Sequence, residues 1–284
     1  TKVNSSSGKV FSLFLILWVL LNLIQSCLTP LNNDEAYYWM FSQYPAWGYY
    51  DHPPMIAMMI KAGYSLFKSE IGVRLLVVFA QLLSIITIWS MIGKEKREQP
   101  GNAILIAMVF CMLPLINMYG FLATPDSPLI LFTVLVLFFY KRFLEEESWL
   151  NTFALGLMMA CLMYSKYHGG LMIILLVLSN LRLLLSLRFL IASVFAIGLF
   201  TPHILWQINN NFPSLQYHLI DRVEGFNIGQ VPEYLMNLLL IHNPFILPVF
   251  IWVVFKSKIK STFERGLVFI VTGFILFFFV SSFR

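Results

Sequence analysis

Three short runs of this 284-residue chain place carboxylates beside aromatic, histidine or proline residues, where they could move protons or hold anions and cations. Asn32-Asn33-Asp34-Glu35-Ala36-Tyr37-Tyr38-Trp39 carries two adjacent acids. Acids at an apolar boundary are costly unless they are solvated, paired or bound to a cation, and one set beside aromatic rings suits a general base. The same residues also fit an aspartate capping a helix that begins near Glu35, with the rings lying in a membrane interface. Gly48-Tyr49-Tyr50-Asp51-His52-Pro53-Pro54 puts a carboxylate and an imidazole side by side. Such a pair suits a divalent ion or, through an imidazolium, a phosphate oxygen; it also suits a turn in which Asp51 caps the next helix. Ala123-Thr124-Pro125-Asp126-Ser127-Pro128 has the composition of a tight turn, with one acid.

Weaker candidates follow. Ser165-Lys166-Tyr167-His168 offers a cation for an anion, or a lysine that snorkels. His218 and Arg222 are four apart with Asp221 beside them, so one helix face could present imidazole to a metal and guanidinium to a phosphate. His203 and His242 lie within apolar runs, where a neutral histidine hydrogen-bonded between helices is the commoner state, and both stay outside the candidate site.

The elements that must position these residues follow from composition. The chain is 59% hydrophobic and only 12% charged, with a mean hydropathy of +0.78. A soluble domain has about a quarter of its residues charged, so the solvent here is lipid. Uninterrupted apolar runs at roughly 10–28, 71–93, 102–123, 127–140, 149–165, 169–185, 188–207, 234–255 and 266–281 predict an all-α polytopic membrane protein with about nine spans. Cys27, Cys111 and Cys161 fall in or beside these runs without metal-ligand spacing and read as packing residues.

Basic residues set the orientation. With the N-terminus cytoplasmic, 13 of the 19 lysines and arginines face inward, while Asp34, Glu35, Asp51 and Asp126 all face outward. The net charge of +5 is therefore a topology signal, and no nucleic-acid partner is expected. Two long outer loops remain, 29–70 and 207–233, rich in aromatic, proline, asparagine and acidic residues. The first has two stretches, 35–43 and 54–67, that suit interfacial helices.

Taken in order, Asp34 to Trp39, Gly48 to Pro54, Gly72-Val73-Arg74, Thr124 to Leu129 and Ser165-Lys166-Tyr167 resemble bacterial integral-membrane glycosyltransferases of the GT-C fold. These enzymes are similar to dolichyl-phosphate-mannose protein mannosyltransferases and to the lipid A aminoarabinose transferase. The resemblance runs over about 30–284. It implies a polyprenyl-phosphate-linked sugar as donor, a protein, lipid or glycan acceptor, and transfer with inversion on the outer face of the plasma (inner) membrane. It sets Asp34 and Asp126 as the catalytic acids, with Asp51 where relatives have a metal-binding glutamate and His52 where they have a phosphate-contacting lysine. His218 falls near a metal-ligand histidine, although its spacing to Arg222 is longer than in those relatives. The expected site is therefore Asp34 and Asp126 for catalysis, Glu35, His52, Lys166, Tyr167 and Arg222 for substrate, and Asp51 and His218 for a divalent metal, with no organic cofactor. The start at Thr1 and the apolar run up to Arg284 lead us to expect one transmembrane domain, 1–284, from a longer protein. A multi-pass transporter or flippase is the rival reading.

Overall fold

The computed structural model describes residues 4–99, 101–218, 229–241, 243–256 and 258–282. All regular elements among them are helical. In chain order they are α1 (Asn4–Leu28), α2 (Asn33–Gln43), α3 (Met55–Leu66), α4 (Glu70–Met91), α5 (Lys94–Arg97), α6 (Asn102–Met112), α7 (Pro114–Met118), α8 (Asp126–Glu145), α9 (Trp149–Ser165), α10 (His168–Ser179), α11 (Leu187–Asn209), α12 (Pro213–Gln216), α13 (Gln230–Ile241), α14 (Ile246–Lys256) and α15 (Thr262–Ser281), with a 3₁₀ turn at Leu181–Leu185.

Five helices are long and apolar enough to cross a membrane: Ser7–Leu28 within α1, then α4, α8, α11 and α15. The count becomes six if the bent pair α13 and α14 is one span. The nine expected spans are therefore not reached among the described residues. Hydropathy cannot see where an apolar run breaks: Leu113-Pro114 divides the run 102–123 into α6 and α7, because proline has no N–H for the helix ladder. The run 169–185 likewise ends as α10 and is followed by the short 3₁₀ turn. The two stretches expected as interfacial helices do form, as α2 and α3, and Pro53-Pro54 directly precedes α3.

The chain forms two compact units. The first comprises 1–45, 55–134 and 241–246. Its core joins Tyr38 of α2, Ile56 and Ile60 of α3, Val73 and Val77 of α4, and Ala123. A second cluster stacks Phe11 and Trp18 of α1 against Ile85 of α4 and Phe110 of α6. The turn between α3 and α4 is so tight that a Cβ at Gly72 would lie 1.7 Å from the Phe67 carbonyl oxygen. Only glycine lets the chain close there, and Arg74 is thereby set about one turn into α4.

The second unit comprises 46–54, 135–240 and 247–284. Here α9 packs along α11, with Gly156 against the Ala192 carbonyl and Tyr164 donating to the Leu199 carbonyl at 2.9 Å. The short stretch 46–54 belongs to this unit although both of its flanks belong to the other.

Candidate active site

In the first unit the acids of α2 separate into two environments. Asn32 is the N-cap: its side chain accepts from the Glu35 N–H at 2.8 Å, and the Glu35 carboxylate takes the Asn32 N–H at 3.1 Å. This capping box turns Glu35 inward. Glu35 is wholly buried and meets Arg74, itself 1% exposed, in a two-pronged pair: Nε donates to Oε1 at 2.7 Å and Nη2 to Oε2 at 2.5 Å. The Ala123 N–H donates to Oε1 at 3.0 Å. The rest of the guanidinium donates to the carbonyls of Ser26, Thr29 and Pro30 and to the Thr29 hydroxyl, and its face lies over the Phe121 ring.

Glu35 was expected to contact substrate; this is corrected. Its oxygens are taken by Arg74 and two backbone N–H groups, and it ties together the end of α1, the start of α2 and the turn before α8. Asn32, not Asp34, caps α2, so Asp34 is left exposed on the first turn. Asp126 opens α8 and is half-buried, three residues after the Ala123 amide that Glu35 holds. Tyr119 stands close enough to both Asp34 and Asp126 to feel the charge of each.

In the second unit the run 47–52 is docked on α11 and the segment after it. His203 Nδ1 lies 2.7 Å from the Trp47 carbonyl, Ser214 Oγ 2.9 Å from the Tyr49 carbonyl, and His218 Nε2 2.9 Å from the Asp51 carbonyl. A carbonyl can only accept, so both imidazole nitrogens carry the hydrogen. His203 Nε2 is then an acceptor, and Tyr167 donates to it at 3.1 Å while receiving from Gln207 Nε2 at 2.8 Å. Gln207 also donates to Ser214 Oγ at 2.7 Å. Gly48 lies flat on the Trp206 indole, where a Cβ would come within 2.3 Å of a ring carbon. His52 Nε2 is 3.7 Å from Asp51 Oδ2, and its ring is 6.0 Å from that of His218. Lys166, half-buried, caps the end of α9.

Burial pushes the Tyr167 phenol up to about 12, against the opposite pull of bonds from Ser214 and Gln207. The folded chain thus keeps a proton that the unfolded chain loses near pH 10. Its contribution is complete below pH 10 and falls away as pH rises towards 12. Tyr167→Phe is expected to flatten that part of the stability profile, read as thermal midpoint against pH in detergent; parallel profiles for the two proteins would refute the placement.

Of the expected residues, the first unit holds Asp34, Glu35 and Asp126, and the second holds Asp51, His52, Lys166, Tyr167 and His218. Arg222 and His242 lie outside the described residues. Asp51 and His218 do meet, but through the Asp51 backbone carbonyl. Among the described residues no three His, Cys, Asp or Glu side chains form a group that could hold a metal ion. Nε2 of His218 carries its hydrogen towards the Asp51 carbonyl, which leaves Nδ1 as the ring's one ligand atom. Gln207 and Ser214 have no place in the sequence reading, and Arg74 enters it only within the Gly72-Val73-Arg74 motif, without a role. The signal for Arg74 was present, since an ionisable residue within an apolar run demands a partner; Ser214 had none.

The model of the dolichyl-phosphate-mannose-protein mannosyltransferase family matches residues 51–206. The chain belongs to this family. The stretch that carries the mannosyltransferase-family match starts at Asp51 and takes in Arg74, Asp126, Lys166 and His203, while Asp34, Gln207 and His218 lie beyond its ends. Among solved structures, ArnT from Cupriavidus metallidurans in the apo state aligns with a TM-score of 0.61 and 19% identity over 94% of this chain. The two share the fold. The chain spans 59% of the length of that protein. No curated protein sequence matches.

Proposed function

We propose that this chain belongs to a membrane glycosyltransferase that moves a sugar from a polyprenyl-phosphate carrier to an acceptor on the outer face of the plasma membrane. The observation that carries the reading is the division of labour at Asp34-Glu35 in a chain of the mannosyltransferase family. Glu35 is consumed by structure, and this leaves Asp34 exposed at a fixed place.

In this reaction the acceptor hydroxyl attacks the anomeric carbon, the bond from that carbon to the phosphate oxygen breaks, and the polyprenyl phosphate leaves with the electron pair. Asp34 takes the hydroxyl proton. Asp126 orients the acceptor, His52, Lys166 and Arg222 meet the phosphate charge as it grows, and a single displacement inverts the anomeric centre. No step is assigned to a metal ion. Transport is disfavoured, because the ionisable residues inside helices that it would use, Arg74 and His203, are buried and fully engaged.

The test is release of polyprenyl phosphate by the purified full-length protein from undecaprenyl-phosphate mannose and, separately, undecaprenyl-phosphate aminoarabinose, with crude envelope lipid and peptide acceptors. Release from either carrier is expected. No release from any carrier, together with uptake of a labelled solute by proteoliposomes, would replace this reading by transport.

A further inference from the structure

In the second unit the carbonyls of residues 47, 49 and 51 are each met by a side-chain donor. The run bends at 47, 50 and 51, and the three donors come from three places: the last third of α11, the start of α12 and the residue two beyond its end. Getting them there has a conformational cost. Asn211 and Phe212, between α11 and α12, both adopt left-handed backbone, with φ of 59° and 54°. A bulky residue such as Phe212 rarely takes that conformation unless surrounding contacts demand it. The sharp return brings Ser214 under the Tyr49 carbonyl and against Gln207. Tyr217 then packs against Tyr50 with the rings tilted and their centroids 5.2 Å apart, and Trp206 closes on Gly48.

We propose that His203, Ser214 and His218 are positioning residues that grip the 47–51 backbone by the carbonyls of 47, 49 and 51 and so aim Asp51 and His52, His218 acting through the hydrogen on Nε2. This rests on the glycosyltransferase reading only for what His52 is aimed at, the carrier phosphate. The grip itself stands on the three distances. Each donor also satisfies a carbonyl that the others do not reach, and a carbonyl stripped of its donor there loses on the order of one hydrogen bond.

Two substitutions at one position separate the roles. Glutamine carries an amide N–H about as far from the backbone as imidazole Nε2, yet is a poor metal ligand; leucine fills the space and donates nothing. The full-length protein in nanodiscs is titrated with undecaprenyl phosphate, the part common to every candidate donor, and separately with Mn²⁺. Exchange of the amides in 46–52 is followed by hydrogen–deuterium mass spectrometry.

His218→Gln is expected to bind undecaprenyl phosphate within about threefold of the parent protein and His218→Leu about tenfold more weakly. The 46–52 peptide should exchange faster in the leucine variant alone. Ser214→Thr and Ser214→Ala should behave as a second such pair, so a misfolded leucine variant does not decide the matter. If glutamine is as damaging as leucine and both abolish a stoichiometric Mn²⁺ signal, His218 is a metal ligand and the proposal fails. Exchange unchanged in every variant also overturns it. A parent protein that does not bind undecaprenyl phosphate overturns the glycosyltransferase reading instead, and the exchange measurement still decides the grip.

Discussion

Asp34→Asn is expected to lower turnover by about 10²–10⁴-fold, the usual contribution of a positioned general base, while the protein keeps its thermal midpoint. The reason is geometric. Asp34 is exposed on the first turn of α2 and takes no part in the capping box, which Asn32 and Glu35 form between themselves. Asparagine keeps the size, exchanges one acceptor oxygen for an NH2 donor and removes the charge together with the ability to take a proton, and exposed substitutions of this kind stay within about 0.5 kcal/mol in stability. The loss should fall on kcat, with KM for the carrier nearly unchanged, because the proton moves only in the chemical step. Asp126→Asn, at the half-buried start of α8, should show a smaller loss that leans towards acceptor KM. Single-turnover release of labelled polyprenyl phosphate measures both. Wild-type turnover from Asp34→Asn removes Asp34 from the reaction. If only Asp34→Ala is impaired, the side chain orients the acceptor without taking its proton, as a phosphate acceptor would require.

Arg74→Leu is expected to destabilise the protein by about 3–5 kcal/mol, enough to deplete it from the membrane, since it strands a buried carboxylate without its charge partner. Arg74 is 1% exposed and Glu35 wholly buried, so water cannot take over. The damage exceeds one ion pair, because the Ser26, Thr29 and Pro30 carbonyls lose their donor as well. Arg74→Lys should recover little: an ammonium cannot bond both carboxylate oxygens and three carbonyls from one plane. Glu35→Leu combined with Arg74→Leu should be less unstable than Arg74→Leu alone, because the stranded charge is gone. Denaturation midpoints in an SDS titration give all three values. An Arg74→Leu protein as stable as the parent, or a double variant worse than the single, would contradict the pairing.

Much of the frame could be read before any coordinates. The apolar runs at 10–28, 71–93 and 188–207 become α1, α4 and α11, and the two helices of the first loop form where 35–43 and 54–67 suggest them. Periodicity and proline placement are local, so local residues report them. What stayed hidden was partnership across long stretches of chain. That Glu35 faces inward and Asp34 outward depends on Arg74, 39 residues on, and on an amide 88 residues on. No spacing rule within α2 encodes this. His203 read correctly as a satisfied histidine, yet its partner, the Trp47 carbonyl, lies 156 residues away. His218 stands beside Asp51 as the sequence suggests, yet meets its carbonyl, because a sequence names the side chain and not which atom of its neighbour it meets.

The Glu35–Arg74 pair also has a history within each molecule's synthesis. At about 5–20 residues per second, Glu35 emerges roughly 2–8 s before Arg74 and about 4–18 s before the Ala123 amide. During that interval α1 and α2 carry an acid that has only its capping-box bond and no charge partner, so α2 cannot settle into its final bed until α4 has been made. Arg74 in turn enters as a charge within an apolar helix, and its insertion is eased by a counter-charge that is already waiting. The order of the chain thus makes the first acid of the loop a receiver for the fourth helix, and a ribosome that stalls between the two leaves a nascent product with a bare carboxylate for quality control to find.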